Sequence, residues 1–375
     1  MIAEEIEKIL GRKINLVHPK DFRNGDYTLT ANEKTAQEDF EKLERNKPFS
    51  VSKIEFIKPR FINFYLSKEF FKKSLKEIIE KGENFGRGNR NRGVKVIVEY
   101  TDTNPFKEFH IGHLMSNAVG ETISRIIEWN GAEVKRACYQ GDAGLHIAQA
   151  VWGIMKGAPD PYVFGNKAYS EDENVQNEIK EINKKIYDKS DSKINELYKK
   201  GREESLKKFE EIYKKLGTRF DYSFFESEMA EVGKKIVLEN VGRVFEESDG
   251  AIVFKAEKYD PKLHTRVFVS SQGIPIYEAK DLANAKNKYD TYPYDLSIVV
   301  TGNEIKEYFK VMLKALEQIY PELAKKTKHL SHGMLRLPSG KMSSRTGNAI
   351  PAEALIEEVK SRTKGDERVA IGAIK

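Results

Sequence analysis

Apolar residues recur along this chain in two rhythms, and each rhythm predicts a different element. The run Val94-Lys-Val-Ile-Val-Glu-Tyr100 is nearly continuous and rich in β-branched residues, which predicts a buried strand. Beyond the polar loop 101–109, Leu114, Ala118, Ile123, Ile126 and Ile127 fall at helical spacing and predict a helix over 114–129. A second strand is expected over 133–139, a tight turn at Gly141-Asp-Ala-Gly144, and a helix over 145–155. A third apolar strand, 296–300, precedes a helix over 307–319. Strand–helix alternation on both sides of a long interruption predicts one doubly wound parallel sheet built from two halves. In such α/β folds ligands bind at the strand C-terminal ends.

The remaining segments set the expected domain plan. Residues 1–85 read as a small α+β domain, with a helix at 3–10, turns at Gly25-Asp26-Tyr27 and Asn46-Lys-Pro48, strands at 51–57 and 60–66, and a helix at 68–81. Gly, Asn and Arg over 82–93 read as a linker. The first half of the catalytic domain is expected over 86–157 and a mostly helical connective insertion over 158–249. The second half follows over 250–335, where sheet structure resumes at 250–254 and 266–270. Residues 336–375 hold a Gly- and Ser-rich loop and an amphipathic helix from Pro351.

Composition narrows the class. The chain has 375 residues, 39% hydrophobic and 33% charged, with a formal net charge of +6. That suits a soluble enzyme of two or three units and permits a polyanionic partner without demanding one. No apolar run approaches the roughly 20 residues of a membrane span, and the acidic N-terminus argues against a signal peptide. The single cysteine, Cys138, excludes internal disulfides and a thiolate zinc cluster, so a cytoplasmic protein without a structural metal is expected.

The chemistry is expected where the first strand meets the first helix. Unpaired N–H groups and the helix dipole there favour an anion such as a phosphate. His110-Ile-Gly-His113 places two imidazoles three residues apart, able to reach one spot, and Gly112 leaves no side chain to block a base or ribose. A cationic imidazole is disfavoured at a helix N-terminus, so both histidines are expected to donate hydrogen bonds. Lys341 in its polar loop is suited to stabilise a leaving pyrophosphate. The chain has no Gly-x-x-x-x-Gly-Lys-Ser/Thr phosphate loop. A cationic substrate calls for carboxylates and an aromatic face, which Glu99, Asp281 and Tyr277 would supply.

His110-Ile-Gly-His113 and Lys341-Met-Ser-Ser-Arg345 resemble the two signatures of class I aminoacyl-tRNA synthetases, which have a Rossmann-like catalytic domain. The combination of Glu99, Asn104, Lys107 and the histidines resembles arginyl-tRNA synthetases in particular. The resemblance implies that residues 1–85 contact the tRNA elbow, and that Glu99 and Asn104 hold the guanidinium and the amino-acid end. Lys107 compensates for a second signature in which Ser344 stands in place of lysine. Tyr277 and Asp281 enclose the guanidinium, and Gly333-Met334 lies beside adenine. It implies an ATP site of His110, Gly112, His113, Met334, Lys341 and Ser343, with His110, His113, Lys107 and Lys341 catalytic. Phe220-Asp221 and Glu226-Ser227 also resemble a family element.

This chain departs from the pattern at Ala143 and His146, and Glu304 stands near where a glutamine is expected. It also stops short of the helical anticodon-reading domain, its last residues resembling the start of a family helix. The implied reaction joins L-arginine to tRNA(Arg) through an arginyl-adenylate, with ATP and Mg²⁺ as substrate complex and a monomer favoured. Members of the family often need bound tRNA before they activate arginine. Alternative readings are a class I synthetase for another amino acid, a small-molecule nucleotidyltransferase, and a non-catalytic tRNA-binding paralogue.

Overall fold

The computed structural model describes residues 2–335 and 349–375. The chain divides into two compact units, Met1–Arg87 and Gly88–Lys375. In the first, strands β1 (Leu16–Val17), β2 (Tyr27–Thr30), β3 (Val51–Ile57) and β4 (Phe61–Leu66) form an antiparallel sheet of order β1-β2-β4-β3. Helices α1 (Ile2–Leu10) and α2 (Ala36–Arg45) contribute Ile2, Ile6, Ala36 and Leu43 to a core with Leu29, Ile54, Ile62 and Phe64. The expected turn at Gly25 is present, and glycine is required there: φ is +103°, and a Cβ would lie 2.8 Å from the Phe64 carbonyl oxygen. Tyr27, however, opens a strand rather than completing the turn. Helix α3 (Lys68–Lys81) starts where expected, because the Ser67 hydroxyl accepts from the Phe70 N–H at 3.0 Å.

The second unit is built on five parallel strands: β5 (Lys95–Glu99), β6 (Glu133–Gln140), β7 (Tyr222–Phe225), β11 (Leu296–Gly302) and β12 (Thr327–His332), in the order β12-β11-β5-β6-β7. Central β5 is apolar because both its faces are covered. Val96, Val98 and Tyr100 pack toward α4 (Ile111–Trp129) with Val134, Ile298 and Val300. Ile97 points the other way, with Ala137, Tyr139 and Val299, toward α9 (Glu226–Leu238), α10 (Tyr277–Thr291) and α11 (Lys306–Ile319). Strand alternation therefore sends Glu99 to the α10 face. Helix α5 (Leu145–Met155) follows β6 as expected.

Two expectations need correction. The stretch 158–249 is not wholly an excursion from the sheet. Helices α6 (Pro161–Glu171), α7 (Glu173–Asp188) and α8 (Ser192–Leu216) form the helical part, and Ile179, Ile182, Ile186 and Ile194 join Ile147 and Val151 of α5 in one cluster. Tyr222–Phe225 then returns to pair in parallel with β6, so the fifth strand and α9 belong to the sheet domain. Conversely, 250–254 and 266–270 do not extend the parallel sheet. Strands β8 (Glu246–Ser248), β9 (Ala251–Phe254) and β10 (Arg266–Val269) make a separate antiparallel sheet of order β10-β9-β8. Helix α12 (Pro321–Lys326) precedes β12, and α13 (Ala352–Arg362) and α14 (Glu367–Ile374) follow it. Ala352, Ile356 and Ile371 pack against Phe109, Leu114 and Tyr213.

Candidate active site

A cavity of about 660 Å³ opens at the C-terminal edge of β5 and β11. His110, Gly112 and His113 line it with Asn104, Lys107, Thr301 and Met334. His110 is the N-cap of α4. Its Nδ1 accepts the Gly112 N–H at 3.1 Å, and His113 Nδ1 accepts the His110 N–H at 3.2 Å. A backbone amide can only donate, so both Nδ1 atoms are unprotonated and each neutral ring carries its proton on Nε2. The rings stack with centroids 3.8 Å apart. Burial, then Lys107, pushes the His110 pKa down to about 4. Burial, then His110 and Lys107, holds His113 well below the usual imidazole range. Two neutral N–H donors, held by the backbone that caps the helix, are the result.

Gly112 serves this arrangement, in a way the sequence reading did not foresee. A Cβ there would lie 2.9 Å from His110 Cε1 and 3.0 Å from its Nδ1. Its bare Cα makes room for the His110 ring to fold back on the turn. Lys107 stands in the loop above, its Nζ 5.0 Å from the Tyr162 ring centroid. The loop is unusual backbone: Thr101, Asp102 and Phe106 have φ of +77°, +47° and +68°. Side-chain residues in the left-handed region concentrate at functional sites, where surrounding contacts hold them. Those contacts include Tyr139 N–H to Asp102 Oδ1 at 2.9 Å and Phe106 N–H to Ser205 Oγ at 2.9 Å.

Lys341 and Ser343 lie outside the described residues. Leu335 and Ala349, on either side of 336–348, both line the cavity. The returning chain is tied beside the histidines, with Ile111 N–H donating to Ile350 O at 3.0 Å and Ala352 N–H to Phe109 O at 2.8 Å.

Glu99, Tyr277 and Asp281 do not line this cavity. Glu99 is already engaged: Lys288 Nζ lies 2.9 Å and Asn284 Nδ2 2.9 Å from its Oε2. An acid paired with a buried lysine has its charge compensated, and both contacts fall on the one oxygen. Asp281, one turn into α10, accepts the Tyr308 hydroxyl. Burial, with Glu226 and Glu99 adding to it, pushes its pKa up to about 8. Tyr277 opens the same helix, half exposed, with its hydroxyl 3.4 Å from His146 Nδ1 and Lys280 Nζ 4.7 Å from its ring centroid. His146 Nε2 is 3.0 Å from the Gly141 carbonyl. The departure at His146 thus places an imidazole beside the Tyr277 hydroxyl.

The sequence did not single out Asp102, nor did it reveal the contacts made by Asp142, Glu226 and Glu304. Asp102 lines the cavity, its carboxyl raised well above the carboxylate range by burial and then by Glu99. Asp142 is fully buried and joins Arg202 Nε at 2.7 Å, Ser227 N–H at 2.8 Å and Ser227 Oγ at 2.8 Å. Glu226 pairs with Lys280. Glu304 also lines the cavity, and its carboxylate lies so close to Gly302 that a Cβ there would sit 2.5 Å from it. Asp102 was accessible to sequence reasoning, as a carboxylate in a strand-end loop two residues before Asn104.

The chain is similar to proteins of one family. A family model described as tRNA synthetases class I (R), catalytic domain, matches residues 74–369. The arginine–tRNA ligase of Borreliella burgdorferi is 30% identical over 84% of this chain. That of Treponema denticola is 28% identical over 99% of it. The chain spans 60% of the length of the former and 70% of the latter. Its fold follows that of the arginyl-tRNA synthetase of Thermus thermophilus, with a TM-score of 0.64 at 22% identity, over 100% of this chain and 74% of that one. With four-fifths of its length matched by one family model, the chain belongs to the class I (R) tRNA synthetases and contains their catalytic domain.

Proposed function

We propose that the protein attaches L-arginine to tRNA(Arg) in two steps, using ATP with Mg²⁺ as its substrate complex. An oxygen of the arginine α-carboxylate attacks the α-phosphorus and pyrophosphate leaves, giving arginyl-adenylate. The carboxylate has a reference pKa near ~3.5 and needs no general base. The 2′-hydroxyl of the terminal tRNA ribose then attacks the adenylate carbonyl, and AMP leaves. His110 and His113 donate Nε2–H to phosphate oxygens as charge builds on them, and Lys107 adds a cation from the loop. Met334 lies against the adenine, with Gly112 allowing the histidine turn to meet the nucleotide. Lys341 and Ser343, by family resemblance, close on the phosphates.

Asn104 holds the amino-acid end, while Tyr277 and Asp281 receive the guanidinium. Glu99 acts at one remove, holding Lys288 and Asn284. The first unit takes the tRNA. We place the protein in the cytoplasm as a monomer; among the described residues no helix is long and apolar enough to cross a membrane.

The observation that carries this reading is the pair of neutral, Nε2-protonated histidines on a cavity whose neighbouring acids include Asp281, which has no cationic partner among the described residues. Charging total tRNA with each labelled amino acid in turn tests it. Arginine alone is expected to be transferred. Transfer of another amino acid supports the rival synthetase, and binding of tRNA with no transfer at all supports the non-catalytic paralogue.

A further inference from the structure

Five acids, Glu99, Asp102, Asp142, Glu226 and Asp281, lie close enough for their charges to act on one another, and of these Asp102 lines the cavity. Three are matched with cations. Glu99 meets Lys288 at 2.9 Å, Asp142 meets Arg202 at 2.7 Å, and Glu226 meets Lys280. The other two accept only neutral donors among the described residues, Asp102 from the Tyr139 N–H at 2.9 Å and Asp281 from the Tyr308 hydroxyl. Burying carboxylates with only neutral partners is costly unless a cation arrives to join them.

Two further polar atoms point the same way. Among the described residues the Tyr139 hydroxyl has no hydrogen-bond partner although the residue is only 8% exposed, and the charges acting on it most strongly are Asp281, Glu226 and Glu99. Asn284 Oδ1 also lacks a partner among the described residues, in a residue 2% exposed, on the amide whose other atom holds Glu99. Buried groups of this kind are normally satisfied, so unpaired atoms among these acids mark a place where a ligand supplies the missing partners.

L-Arginine carries two cations, and the two uncompensated acids stand in different places. The α-ammonium is one carbon from the reacting carboxylate, so it must lie near the nucleotide cavity. Of the five acids only Asp102 lines that cavity, with Asn104 and the histidines. Asp281 lies away from it on α10, near Tyr277. We propose that Asp102 receives the α-ammonium group while Asp281 receives the distal guanidinium, so that selection rests on two positive charges at a fixed separation. This rests on the arginine reading above and names a contact that the reading left open. Glu304 is the rival acid on the cavity wall, exposed beside Gly302.

Calorimetric binding to the full chain separates these roles, using L-arginine, its 2-hydroxy analogue (which lacks only the α-ammonium) and agmatine, which lacks the carboxylate. Asp102→Asn keeps an oxygen for the Tyr139 N–H. It is expected to weaken arginine by about 10- to 100-fold, the scale of one charged hydrogen bond, and to leave the 2-hydroxy analogue within about twofold. Asp281→Asn is expected to weaken all three ligands, and Glu304→Gln none. Equal weakening of arginine and the 2-hydroxy analogue by Asp102→Asn would mean a merely supporting role and overturn the proposal. So would a wild-type chain that binds those two equally, or the Asp102 pattern appearing in Glu304→Gln. A wild-type chain that binds neither arginine nor agmatine contradicts the arginine reading itself, and the assignment of Asp102 with it.

Discussion

The protons of His110 and His113 sit on Nε2 because two backbone amides occupy Nδ1. A side-chain amide can imitate one imidazole nitrogen but not both, and glutamine's amide reaches about as far as Nε2. His113→Gln is therefore expected to retain far more arginylation than His113→Asn. Steady-state kcat should fall less than about tenfold for the first and about 10²–10³-fold for the second, as when a transition-state donor is removed. Equal losses would contradict the Nε2 assignment. The histidines, Asn104, Lys107 and Met334 were legible in the sequence because they sit in short local patterns, and the cavity gathers them all. The role of Gly112 was not legible, because a ring two residues back imposes it. Nor was the state of Glu99 on β5, whose partner Lys288 arrives from the distant helix α10. Periodicity reports which face a residue takes, not which distant charge it meets.

At the scale of elements, Asp142 fastens the turn after β6 to both α8 and α9. Its carboxylate accepts from Arg202 on α8 and from Ser227 in the first turn of α9, and it is fully buried. Asp142→Asn leaves Arg202 without its buried counter-charge, and loss of one partner of such a pair costs about 3–5 kcal/mol. Denaturant unfolding is expected to show a loss of that order; a change below about 1 kcal/mol would place the contact among weak surface pairs. The sheet's central strands were readable because both faces of β5 are covered, which leaves a continuous apolar run. Strand β7 was not, because four residues at a sheet edge carry little pattern and follow a long charge-dense helix. Strands β9 and β10 read as sheet but gave no sign of which sheet, since pairing direction is a tertiary choice, and the three residues of β8 did not read as a strand. Helix α2 was missed because only Ala36, Phe40 and Leu43 of its ten residues are apolar.

At the scale of the whole molecule, the site holds carboxyl groups in surplus over cations, and this ties stability to pH. Asp281 has a folded-state pKa of about 8, against 3.8 for an ordinary aspartate. Between those values the folded protein keeps a proton that the unfolded chain releases, so this group's contribution to stability falls as pH rises through that window. Asp281→Asn has no such titration. Relative to the unsubstituted protein, it is expected to gain stability between pH 5 and pH 8, by at least about 1 kcal/mol in denaturant unfolding. A gain that is the same at both pH values would contradict the shift. A bound guanidinium reverses the preference by favouring the ionised acid, so arginine binding is expected to strengthen with pH over the same range.

The pocket's selection of a positive charge is open to one direct measurement, the ratio of affinities for L-arginine and L-citrulline at pH 8. Citrulline has nearly the same shape but a neutral urea in place of the guanidinium. A ratio of about 100 or more, collapsing toward unity in Asp281→Asn, is the expected result. Equal binding of the two ligands by the unsubstituted protein would contradict the site described here.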